Sequence, residues 1–340
     1  MTLDRRTLLT AAAALCVPTA AARTEARWEA GLSLPWPTQE AAGGAWRGEV
    51  LIAGGIVPVN GATVALDRVG RFDPKAGRWK DGAKLPFPRH RAALASVFTP
   101  RYAAAGFADL FCIGGYRITG AGSWVAIKDM LLFDEVWTAL APMPKFQSEV
   151  VAAGLGQLIH VVGGRGPKGD ANASYADHGD LDLHQAYDPE ADRWMALRPL
   201  PEARNNAAGG VVGGKLYVVG GRSVAGGNLS RLDCYDPASD SWQTLKPMPE
   251  VAAGLSAAVV KEKLYVLGGE GGPTEDGFGE VTASCWSYDP KTDDWTAEPG
   301  LPTPRHGIAV AAIGDRIYTA GGGARTGGGE PTAVLEILTP

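Results

Sequence analysis

The chain has 340 residues, 45% of them hydrophobic, and a formal net charge of −5 from 32 Lys and Arg against 37 Asp and Glu. It is long enough to bury a large core, and the balance lacks the polybasic footprint that a nucleic-acid partner would require. Three cysteines beyond residue 22, an odd number, do not form a disulfide framework.

In chain order, residues 1–22 stand apart from the rest. Arg5-Arg6 precedes an Ala-rich apolar run from Leu8 to Cys16, and Ala20-Ala21-Ala22 offers a cleavage site. The segment resembles a twin-arginine export signal, although Asp4 stands where Ser or Thr is usual; an ordinary secretory signal is the alternative. Either way the expectation is a periplasmic or secreted protein with no membrane span, its signal over residues 1–22 and its folded domain over 23–340. Leu15 before Cys16 is too large for a lipid-attachment site.

From residue 27 onward the chain repeats itself. Trp28, Trp79, Trp137, Trp194, Trp242 and Trp295 each stand seven residues before a proline, and Pro to the next Gly-Gly is nineteen residues in five cases. Between Pro86 and Gly114 it is twenty-eight, an insertion of nine residues around Thr99 to Ala108. Each Gly-Gly closes an apolar run such as Lys215-Leu216-Tyr217-Val218-Val219, where the backbone must take φ > 0 or pass close to a neighbour. A variable stretch follows, then an aromatic-Asp-Pro turn as at Tyr187, Tyr235 and Tyr288. Each unit therefore predicts four short strands: a small-residue run after Pro, a strand ending in Gly-Gly, one ending in Tyr-Asp-Pro, and one carrying Trp. Four-stranded units at this period predict propeller blades.

The Gly-Gly, Tyr-Asp-Pro and Trp pattern resembles the kelch family over residues 27 to 340. The expected fold is all-β, a six-bladed kelch-type β-propeller. Thr339-Pro340 aligns with the end of a third strand, and Arg27-Trp28 has no strands before it, so the N-terminal strand is expected to close the last blade. The repeating tryptophans read as structural. Cys112, Cys234 and Cys285 read as small core residues, since the parity of Cys234 and Cys285 points them the same way round the ring.

Antiparallel order opens the loops between second and third strands on the same face as the links between blades, and the length variation concentrates there. Three and four residues after Pro stand the pairs Arg89-His90, Arg204-Asn205 and Arg305-His306 in alternate blades; directly or shortly after Gly-Gly come Arg117, Arg165, Arg222 and Glu270. These residues are expected to ring the channel mouth as a guanidinium-rich surface suited to an anionic ligand. For Arg89, Arg204 and Arg305 a second reading stands beside it, in which they stitch blades together through carbonyls.

The loop from Arg165 to Asp182 is rich in oxygen donors (Asp170, Asn172, Asp177, Asp180, Asp182), but it lacks EF-hand spacing and reads as a solvated loop rather than a calcium site. The Gly-rich stretches lack Gly-Lys-Ser/Thr. No adjacent Tyr-His pair suits a copper radical centre, and neither a cofactor nor a metal is expected. The leading expectation is a monomeric, exported, non-catalytic binding propeller for a polar or anionic partner, protein or glycan. The alternative, implied by the resemblance, is a sugar-acid mutarotase or epimerase of the kelch type, with Glu149, Glu270, His90 and His306 as acid-base candidates.

Overall fold

The computed structural model describes residues 26–99, 106–120, 122–273 and 279–340. The segment 1–22, expected to be an export signal, and most of the insertion after Thr99 lie outside the described residues. Six four-stranded antiparallel sheets form the blades, and among the described residues there is no α-helix. In the fourth blade Ala208–Val212 lines the axis, followed outward by Lys215–Val219, Leu232–Asp236 and Ser241–Leu245. The sixth takes its inner three strands from Ala309–Ile313, Arg316–Ala320 and Leu335–Thr339, and its outermost from Arg27–Ala30, with Trp28 opposite Leu338. The predicted closure is the one observed.

The repeated residues each do one job six times over. Every repeat tryptophan donates its indole N–H to the carbonyl four positions past the tryptophan of the neighbouring blade: Trp79 to Leu32, Trp137 to Ala83, Trp194 to Ala141, Trp242 to Arg198, Trp295 to Lys246 and Trp28 to Pro299, at 2.7 to 3.0 Å. The last of these closes the circle, so the tryptophans are blade fasteners, each adding about 1 kcal/mol beyond its packing. Tyr187, Tyr235 and Tyr288 donate to Asp192, Asp240 and Asp293, which also accept backbone N–H groups at Ala141, Arg198 and Lys246.

Both glycines of each Gly-Gly have positive φ, from 55° at Gly114 to 107° at Gly269. A Cβ on Gly268 would lie 2.3 Å from the Arg305 carbonyl, and one on Gly164 would lie 2.3 Å from that of Ser148. The pair is glycine because two interblade links cross it.

Two residues of the third blade break the apolar pattern. His160 stands where other blades have Leu, Phe or Tyr, and His184 stands where they have residues such as Leu232 and Leu335. Both are 2% exposed, their rings share a 2.8 Å hydrogen bond, and burial lowers each imidazole to a pKa of about 4. Cys112, Cys234 and Cys285 are buried and unpaired, in their expected core places.

The histidine pair predicts acid sensitivity. Unfolded imidazole binds its proton near 6.5, the folded pair near 4, so the unfolded state takes up more protons between these values and stability falls as pH drops through that window. Each histidine contributes on the order of 3 kcal/mol to this loss, the second less because the two are coupled. In urea denaturation followed from pH 7 to 4, the double variant H160Y/H184L should show a flatter stability profile than the parent; equal slopes would refute the assignment.

Candidate functional site

The links between blades all pass the channel mouth, and each forms one backbone bridge to the residue after Gly-Gly: Gln39 to Ile56, His90 to Tyr116, Ser148 to Arg165, Asn205 to Arg222, Ala253 to Glu270 and His306 to Gly323. The two sets of loops thus share one face, as expected. In five blades the loop continues as a two-stranded ribbon.

The alternating arginines do not line the mouth. Arg89, Arg204 and Arg305 are each 0% exposed. Arg305 donates to the carbonyls of Thr303, Gly321 and Val334, to Thr319 and to Glu336; Arg204 donates to Val218 O and pairs with Asp233 at 2.8 Å; Arg89 donates to Gly114 O and Asp129. Thr38 and Gln147 cap the matching carbonyls of Gly54 and Gly163. Burial works against the charge of Arg204 and Arg305, and the carboxylates beside them answer it. These three residues are structural stitching, and the expectation that they meet a ligand is corrected. His90, Asn205 and His306 are likewise buried, at 0 to 2% exposure.

The throat is lined by the residue five positions after Pro: Glu40, Arg91, Glu149, Asn206, Gly254 and Gly307, of which the sequence pointed only to Glu149. All six have φ between 50° and 63°. Their side chains are joined. Arg91 pairs with Glu149, lies 3.1 Å from Glu40 and donates to the Tyr175 hydroxyl, while Tyr175 and Asn206 donate to Glu149 at 2.9 and 2.8 Å. Opposite them, Glu270 meets Arg222 at 2.9 Å, His306 at 3.4 Å and the Gly327 amide at 3.2 Å. Burial alone would raise the Glu270 carboxyl, but His306, Arg222 and that amide outweigh it and leave it below the usual range. Glu149 and Glu40 likewise outweigh burial at Arg91 and hold it charged. Glu40, Glu149 and Glu270 thus meet Arg91, Arg222 and His306 in and beside the throat, which is not the carboxylate-poor cationic mouth expected.

Arg165 lies with its guanidinium carbon 3.9 Å from the Tyr175 ring centroid and donates to the carbonyls of Tyr175 and His178. Arg117 is exposed, its guanidinium 4.3 Å over Phe87, and Arg325 is exposed beside Glu330. In the loop 165–182, Asn172 bonds both the amide and the carbonyl of Ala126 in the adjacent ribbon and its Oδ1 accepts from Nε2 of His178, while Asp177 takes the amides of Ala173 and Ser174. That loop is fastened to the adjacent blade rather than left to solvent, which corrects its expected character. Among the described residues no group of His, Cys, Asp and Glu has the geometry to hold a metal ion. The throat encloses about 110 Å³, room for a few waters and less than the roughly 300 Å³ of a small-molecule pocket.

A family model described as the KLHDC2/KLHL20/DRC7 Kelch-repeats domain matches residues 108–323. Kelch-like protein terF of Aspergillus terreus is 26% identical over 84% of this chain and 50% of its own length. Beta-scruin of Limulus polyphemus is 29% identical over 80% of this chain and 29% of its own, and human Kelch-like protein 25 is 28% identical over 78% and 42%. The chain thus spans half or less of the length of these curated relatives. The solved structure of YjhT superposes with a TM-score of 0.72 at 16% identity, covering 90% of this chain and 95% of that one, a likeness of fold. On the family match, the six observed blades and the sixfold fasteners, this chain belongs to the kelch-repeat family.

Proposed function

We propose that the protein is an exported, non-catalytic binding propeller whose ribbon face takes an acidic partner protein. Kelch propellers commonly serve as protein-interaction modules. The observation that carries the reading is how the charges at the mouth are spent. The throat carboxylates Glu40, Glu149 and Glu270 already have cationic partners, whereas the guanidinium of Arg117 stands in solvent on the rim, that of Arg325 is held there only by an exposed pair with Glu330, and that of Arg165 lies half-buried just inside it. Rim guanidinium groups suit carboxylates on a partner, and contact there sets specificity and association rate more than affinity. Arg5-Arg6 and the apolar run after it support export.

Sugar-acid mutarotation has less support. His90 is buried with both ring nitrogens unpartnered, and burial and the Arg91 charge keep it neutral far below its usual range. Glu149 already accepts from Arg91, Tyr175 and Asn206. A general base so occupied has no free oxygen facing a substrate.

Binding of a fluorescent Glu- and Asp-rich peptide should weaken about tenfold in R117A/R165A/R325A, and should fall as salt rises from about 50 to 200 mM. In the same preparation, sialic and uronic acids should show no accelerated anomeric exchange by NMR. Peptide binding indifferent to the arginines, or catalysed exchange, would overturn the reading.

A further inference from the structure

Of the thirteen buried side-chain nitrogen and oxygen atoms without a hydrogen-bond partner among the described residues, five lie together. Beside the throat, between the second and third blades, His90, Tyr116, Trp124, Tyr175 and His178 pack ring against ring. His90 meets Trp124 edge-on at 4.4 Å, Trp124 meets Tyr175 at 5.1 Å, and Tyr116 stacks on His178 at 5.5 Å. His90, Tyr116 and His178 are 0 to 1% exposed, yet both nitrogens of His90, the Tyr116 hydroxyl, Nδ1 of His178 and the nearby Nε of Arg165 have no hydrogen-bond partner.

Leaving one such buried group unpaired costs about 1–3 kcal/mol, and native proteins tolerate few of them. Gathering this many in one spot is costly for a scaffold and makes sense where a ligand completes them. The cover over them is thin. Trp124 comes from the ribbon Tyr116–Ile118 and Trp124–Ala126, Tyr175 comes from the loop 165–182, and both are only partly buried. Displacing either ring would open the set, at the cost of the Tyr175 hydroxyl bond to Glu149 or of the Arg91 contact on Trp124.

The groups beneath state what they would accept. A hydroxyl and imidazoles both donate and accept, and the Arg165 Nε–H donates. Of the nearby charges, Arg91 is paired with Glu149 and Glu40, and the Arg165 guanidinium donates to the carbonyls of Tyr175 and His178, so a neutral ligand fits beside them without an added counter-charge. The walls are aromatic faces. A ligand that offers several donors and acceptors on a flat, apolar-faced ring meets all of this. We propose that this aromatic basket is a carbohydrate site for a neutral monosaccharide unit, gated by Trp124 and Tyr175. It is separate from the rim arginines proposed to meet an acidic partner, with Arg165 alone common to both.

The test is a titration of the full chain with D-glucose, D-galactose and D-glucuronate, read by saturation-transfer NMR and by the indole N–H resonance of Trp124. The expected result is saturable binding of at least one neutral sugar, displacing that resonance, and weakened about tenfold or more in Tyr116→Phe and Trp124→Ala. Tyr116→Phe removes an unpaired hydroxyl, so the sugar-free protein should keep or gain thermal stability, which separates loss of binding from loss of fold. Three results would overturn the proposal: no saturable binding of any of the three sugars, as when the buried groups hold ordered waters only; binding of glucuronate alone; or neutral-sugar binding unaffected by Tyr116→Phe. None of these touches the acidic-peptide reading, whose arginines are tested by R117A/R165A/R325A.

Discussion

Six backbone hydrogen bonds, running head to tail around the axis, set the geometry of everything else. The amide of Arg91 donates to the carbonyl of Glu40, Glu149 to Arg91, Asn206 to Glu149, Gly254 to Asn206, Gly307 to Gly254, and Glu40 to Gly307. The circle closes only because every one of these residues adopts the left-handed conformation. For Gly254 and Gly307 that conformation is easy; for Glu40, Arg91 and Glu149 it costs on the order of 1 kcal/mol each, with Asn206 between. The strain persists because the ring brings four polar side chains inward, where Arg91 pairs with both Glu40 and Glu149 and Asn206 donates to Glu149. A second circle, through the indole N–H groups, holds the rim of the molecule.

Between those two circles the fate of each arginine follows from its distance to the ring. Two residues before the ring position, Arg89, Arg204 and Arg305 find unpaired carbonyls at the end of a second strand and are drawn into the wall to cap them. At the ring, Arg91 faces across the throat to Glu40 and Glu149. Beyond Gly-Gly, Arg165 and Arg222 start the ribbons and sit between wall and solvent. One residue type thus has three roles within a few ångströms, and burial rather than charge separates them. Removing a partner from a buried pair such as Arg305 and Glu336 leaves an uncompensated charge in the core, which is why a binding-site reading of such arginines and a structural one differ so much in consequence.

Much of the fold was legible because it repeats. Six tryptophans at one spacing, six Gly-Gly pairs and the shared Asp turns carry the strand order, blade number and closure by Arg27–Ala30. The site was less legible. Reading three and four positions past Pro found residues that the fold buries, whereas the throat is formed one position further on, where the types differ from blade to blade and no recurrence draws the eye. Tyr175 and Trp124 were missed for a related reason. They lie in the variable loops, and the ribbon and fastened loop that bring them together have no counterpart in the repeat.

The sequence by itself determined the architecture and the face on which the variable loops gather, since hydrophobic period, turn residues and glycine positions are local and act alike in every blade. Only the tertiary structure decided which charged groups are spent and which remain. Whether a guanidinium binds a ligand or a carbonyl depends on what five other blades place opposite it, and those neighbours stand tens to hundreds of residues away along the chain.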